Sequence, residues 1–116
     1  EKIGTNDLIG PESLVTSTTH DGVMFAALGD GRVVRIKVNA KDDTIGWTTL
    51  IRTGQVEGSA DECGTGGPSD ETDMEAICGR PLGLLLVQRS TVDPNFEGTE
   101  EDALLVADSY KGLLVV

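Results

Sequence analysis

The 116-residue chain is 38% hydrophobic, enough for a packed core, and its nine basic against twenty acidic side chains give a formal charge of −11. Such a surface repels phosphate backbones and anionic headgroups, which excludes nucleic acid as a partner. No run of about 18 apolar residues occurs, so no helical membrane span is expected. Aromatic residues are only 3% while Gly, Val and Leu are abundant, a balance that favours many short strands over packed helices.

In chain order, Glu12 to Thr18 is the first predicted strand. Gly22 to Leu28, opened by the turn dipeptide Asp21-Gly22, is a nearly continuous apolar run of strand length and is expected to be buried on both faces. Gly29-Asp30-Gly31 offers a tight hairpin turn into Gly31 to Val38, where Arg32, Arg35 and Lys37 intersperse the apolar residues as in a half-exposed strand. Trp47 to Arg52 is the fourth. Four strands in meander order make one propeller blade.

An internal repeat then appears. A gap-free slide of 81 residues sets Asp21 on Asp102, Ala26 on Ala107, Gly31 on Gly112 and Val34 on Val115, while an offset of 69 sets Gly10 on Gly79 and Val15 on Leu84. The difference is an insertion in the loop-like stretch Asp93 to Gly98. The fold class expected is therefore all-β, a partial propeller of about two blades. A first blade covers residues 10–54, an acidic loop 55–78, and an incomplete second blade 79–116, both chain ends looking cut. A free-standing β-sandwich is the alternative.

Cys63 and Cys78 are the only cysteines and stand beside one histidine, His20, too few for a four-ligand Cys/His zinc site. A disulfide across this loop would contribute roughly 3 kcal/mol in the chain-entropy picture and would imply an oxidising compartment; two reduced cysteines are the competing possibility. His20 lies in a polar turn with no nucleophile beside it, and no serine sits in a Gly-x-Ser-x-Gly elbow. The acidic run Asp70 to Glu75 lacks the spacing of a calcium loop. No Asn-x-Ser/Thr sequon is present.

Gly10-Pro11-Glu12-Ser13, Asp30-Gly31-Arg32-Val33, Cys78-Gly79-Arg80-Pro81-Leu82-Gly83 and Val106-Ala107-Asp108-Ser109-Tyr110-Lys111-Gly112-Leu113 carry, in this order, a resemblance to the strictosidine synthase-like family, in its animal-type branch. The resemblance implies a six-bladed β-propeller with its active site at one mouth of the central channel, and a Cys63–Cys78 disulfide. It implies a secretory-pathway location, whether extracellular, ER lumen or vacuole, with any membrane contact made through a segment outside this chain. In the related calcium-dependent ester and lactone hydrolases a glutamate at the start of the first innermost strand binds Ca²⁺, and Glu12 matches that position. The expected activity is hydrolysis of a small ester or lactone. The alternatives are carbon–nitrogen bond formation between an amine and an aldehyde, as in strictosidine synthase, or a non-catalytic extracellular scaffold. The plant synthases carry His and aromatic residues where this chain has Asp108 to Lys111, a departure that counts against strictosidine synthesis. Arg80 and Asp108 are candidate channel-mouth residues, Arg80 to pair with an acidic neighbour or bind an anionic substrate group, Asp108 to accept turn amides.

Overall fold

The structure, a computed structural model, describes residues 7–54, 78–98 and 102–116. Nearly all of the predicted acidic loop, Cys63 included, lies outside them. The strands are β1 (Pro11–Thr16), β2 (Val23–Leu28), β3 (Arg32–Asn39), β4 (Thr44–Arg52), β5 (Pro81–Gln88), β6 (Asp102–Asp108) and β7 (Gly112–Val115), with one helical turn, α1 (Arg89–Val92), after β5. They form two antiparallel meanders, a four-stranded sheet β1-β2-β3-β4 and a three-stranded sheet β5-β6-β7. These are the two blades of the partial propeller, the second with three strands among the described residues.

The blades pack face to face. Val33, Leu104 and Val106 are buried between them, with Val15, Phe25, Ile51, Leu84, Leu86, Leu114 and Val116 around them. Removing one such side chain from water is worth about 1.5–3 kcal/mol, so this seam is the main cohesion between the sheets. A second cluster of Ala26, Leu28, Val34 and Ile36 lies on the opposite face of the first blade, where Leu8 and Trp47 pack on it.

Strand register corrects the repeat. Pro11 pairs with Leu28, and after a bulge that skips Glu12, Ser13 pairs with Ala27. In the second blade Pro81 pairs with Asp108, and after a bulge that skips Leu82, Gly83 pairs with Ala107. Ala27 then pairs with Val33 in the first blade as Ala107 does with Leu113 in the second. The structural offsets are thus 70 over the first strand and 80 over the next two, not 69 and 81. The gap-free slide was anchored on Gly31 and Gly112, both of which adopt positive φ. The hairpin glycine sits one place later in the second blade, and a one-residue slip in a strand exchanges its two faces. With the corrected offset Ala26 corresponds to Val106, both buried.

β3 is also not evenly half-exposed. Its first half is buried, and Arg32, 3% exposed, turns inward. There its Nε donates to Asp30 Oδ2 at 2.8 Å, its backbone N–H donates to Asp30 Oδ1 at 3.2 Å, and its guanidinium also donates to the Asp7 carbonyl. A charge tolerates such burial because its donors are taken up.

Candidate functional site

The bulges at the start of β1 and β5 place the candidate residues. A bulge turns one residue out of the ladder, and in β1 that residue is Glu12, exposed at the inner edge of the first blade. Arg80 directly precedes β5, the strand of the second blade that packs beside β1. The two side chains meet across the blade boundary: Arg80 Nη2 donates to Glu12 Oε1 in an ion pair, with the side chains 24% and 35% exposed respectively. Partial exposure keeps such a pair weak as a stabiliser, so its value lies in holding both groups in one place.

Asp108 closes the same end of the second blade. Its backbone pairs with Pro81, and the amide of Ser109 donates to the Arg80 carbonyl at 3.0 Å. Asp108 Oδ1 accepts the amides of Tyr110 at 2.8 Å and Lys111 at 2.9 Å, the turn-capping geometry its sequence context led us to expect. Oδ2 is buried without a hydrogen-bond partner among the described residues. In the corrected repeat Asp108 occupies the position of the fully buried Leu28, which explains why a carboxylate is enclosed there.

Behind the pair, the chain is held by close backbone approach. Thr53, fully buried, donates through its hydroxyl to the carbonyls of Gly31 and Cys78 at 3.3 Å each. Gly79 has φ +89 and lies so near that a β-carbon there would fall 1.8 Å from Thr53 Oγ1 and 2.8 Å from Asp108 Oδ2. Only glycine accepts both that backbone angle and that crowding. Cys78 is buried beside it.

The residues described supply one oxygen-bearing arm toward a hard cation, Glu12, whose Oε1 is engaged by Arg80. Calcium takes six to eight oxygens, and no group of three or more His, Cys, Asp or Glu stands together among the described residues. Among the described residues Glu12 is thus a lone carboxylate with no second acidic group beside it, and these residues do not by themselves form a calcium site.

At the other end of the blades lies a clasp that the sequence did not disclose. Asp102 Oδ2 accepts the hydroxyls of Ser17 and Thr19 at 3.0 Å each, and Thr19 Oγ1 lies 2.9 Å from Nδ1 of the exposed His20. Ser17 and Asp102 are 85 residues apart, so no local signal links them. His20 keeps its expected place in a surface turn.

A profile described as "Strictosidine synthase-like, N-terminal" matches residues 1–36. The chain is similar to human adipocyte plasma membrane-associated protein, at 38% identity over the whole chain and 20% of that relative. It is also similar to protein strictosidine synthase-like 2 of Arabidopsis thaliana, at 37% identity over 98% of the chain and 25% of the relative, and to the chicken adipocyte plasma membrane-associated protein at 34%. The chain thus spans a fifth to a quarter of the length of these relatives. No solved structure matches it.

Proposed function

We propose, because this chain belongs to the strictosidine synthase-like family, that the propeller to which its two blades belong is a calcium-assisted hydrolase of small esters or lactones. The observation that carries the proposal is Glu12, turned out of the ladder at the inner edge and aimed by Arg80 from the next blade. Calcium bound there would polarise a substrate carbonyl and acidify a bound water. Glu12 supplies a carboxylate ligand. Arg80 fixes its orientation by donating to Oε1 from the next blade.

With the whole protein, chelation of calcium is expected to lower phenyl acetate hydrolysis by roughly tenfold or more, and Glu12→Gln to give a loss of the same order. Rates unchanged by both would overturn the proposal. The Glu12–Arg80 pair also favours a second reading, a non-catalytic scaffold in which the pair only fastens blade to blade. In that case Glu12→Gln moves the melting temperature and no hydrolysis is measurable at all.

The Cys63–Cys78 disulfide and a secretory-pathway location complete the proposal, supported by the absence of a free thiol at Cys78. Peptide mapping of secreted protein without reductant is expected to yield one peptide pair linked through these two cysteines. Recovery of both as free thiols would count against the bridge and against the location together.

A further inference from the structure

The chain contains two Asp-Gly dipeptides, Asp21-Gly22 and Asp30-Gly31, and no Asn-Gly. Glycine has no side chain to shield its nitrogen, so in such a pair that nitrogen can reach the neighbouring carboxyl. The two pairs stand at different places in their turns. Leu28 to Gly31 form a turn closed by the Gly31 amide, which donates to the Leu28 carbonyl at 3.2 Å. The Asp30 carboxylate, 4% exposed, is engaged through both oxygens by Arg32, so neither reacting atom of this pair is available. His20 to Val23 form the other turn, closed by the Val23 amide on the His20 carbonyl at 3.4 Å. Gly22 is its third residue, at φ +72, a place whose own N–H takes no part in closing the turn. Among the described residues neither the Gly22 N–H nor the exposed Asp21 carboxylate has a hydrogen-bond partner. Glycine is also required there, because a β-carbon would fall 2.4 Å from the Val38 carbonyl oxygen. Lys37 Nζ donates to the Asp21 carbonyl at 3.1 Å. That carbonyl belongs to the peptide group whose nitrogen is Gly22's, and a cation drawing density from it makes the N–H a better acid.

We propose that Asp21 is a site of spontaneous backbone isomerisation, and that Asp30, in the same dipeptide, is protected from it. The Gly22 nitrogen attacks Cγ of the protonated Asp21 carboxyl. A C–N bond forms, a C–O bond breaks, and the amide proton leaves with the carboxyl's hydroxyl as water, giving a five-membered succinimide. Water then adds to one of the two ring carbonyls. Addition at Cγ restores aspartate, whereas addition at the main-chain carbonyl gives isoaspartate, whose backbone runs through Cβ and is longer by a methylene. No oxidant, metal or substrate enters, so the proposal stands apart from the hydrolase reading. All of the reacting and assisting groups belong to the first blade's own hairpins. The lengthened connection between β1 and β2 is the one that carries Ser17 and Thr19, whose hydroxyls hold Asp102 of the second blade. Isomerisation therefore loosens the clasp between the blades.

The test is to age the whole protein at physiological pH and temperature for several weeks, folded in buffer and unfolded in urea. Isoaspartate is then mapped by methylation with an isoaspartyl methyltransferase and by fragmentation mass spectrometry. In urea the two Asp-Gly pairs are expected to convert at similar rates. In the folded protein isoaspartate at Asp21 is expected to exceed that at Asp30 by about tenfold or more, because closure at Asp30 must first give up hydrogen bonds to a charged carboxylate. Asp21→Glu keeps the charge at an exposed position but would need a six-membered ring, so it is expected to abolish the folded-state label. Equal labelling of Asp21 and Asp30 in the folded protein overturns the proposal. So does a folded sample without isoaspartate at Asp21 when the urea sample carries it. The aged wild type is also expected to melt at a lower temperature than before ageing, and Asp21→Glu to keep its melting temperature. A wild type that converts at Asp21 and melts as before would overturn the link to the clasp.

Discussion

Gly79→Ala is expected to lower the unfolding free energy by about 3 kcal/mol or more, since it combines a forbidden backbone angle with overpacking. At φ +89 an L side chain is strained wherever it points, and here it points at Thr53 Oγ1, 1.8 Å away, and at Asp108 Oδ2, 2.8 Å away. Relief by moving Thr53 is closed off, because its hydroxyl is the donor that ties the Gly31 turn to Cys78. The damage therefore spreads from the start of the second blade into the first blade's hairpin. Gly46→Ala is the control. A β-carbon at Gly46 meets nothing within 4 Å, and in an ordinary strand conformation alanine is neutral or mildly favourable. Urea unfolding midpoints of the two variants should separate clearly; equal midpoints would mean that the crowding at Gly79 is not real.

Asp30→Ala is the second large effect, expected to cost about 3–5 kcal/mol. It strands Arg32, 3% exposed, with its Nε and backbone N–H deprived of the carboxylate that receives them at 2.8 and 3.2 Å. An uncompensated buried guanidinium is far costlier than the pair is beneficial. The double variant Asp30→Ala/Arg32→Leu, which removes both charges, should thus be more stable than Asp30→Ala alone. If the second change only adds to the loss, Arg32 draws its stability from the Asp7 carbonyl and not from Asp30.

Much of the architecture was legible because it rests on local rules. Turn glycines and period-2 runs located β1, β2 and β3 to within two residues and announced that the motif occurs twice. The registration of the two copies was not legible. Sequence matching rewards aligned glycines and any apolar pair, whereas the ladder distinguishes odd from even positions, so a slide that looked good by identity put every strand of the second blade on its wrong face. Arg32 was read as exposed for a related reason. Alternation records which residues are polar, and it carries no information about a buried Asp30 waiting two residues earlier. β4 begins at Thr44, three residues before its predicted start, because it is the outer strand and its exposed residues leave the apolar period faint.

Of the candidate site, the sequence singled out Glu12, Arg80 and Asp108 by family pattern and placed Asp108 in its turn by chemistry. It did not pair Glu12 with Arg80, which are 68 residues apart, nor find Asp102 between Ser17 and Thr19. By itself, then, the sequence determined the strand-turn alphabet, the twofold occurrence of the blade and the resemblance to strictosidine synthase-like proteins. The tertiary structure alone decided which face of each blade is inside and which basic group each carboxylate holds. The reason is physical: strand and turn preferences act over a few residues, while register, ion pairing and packing are fixed by contacts between segments that only the closed seam brings within reach.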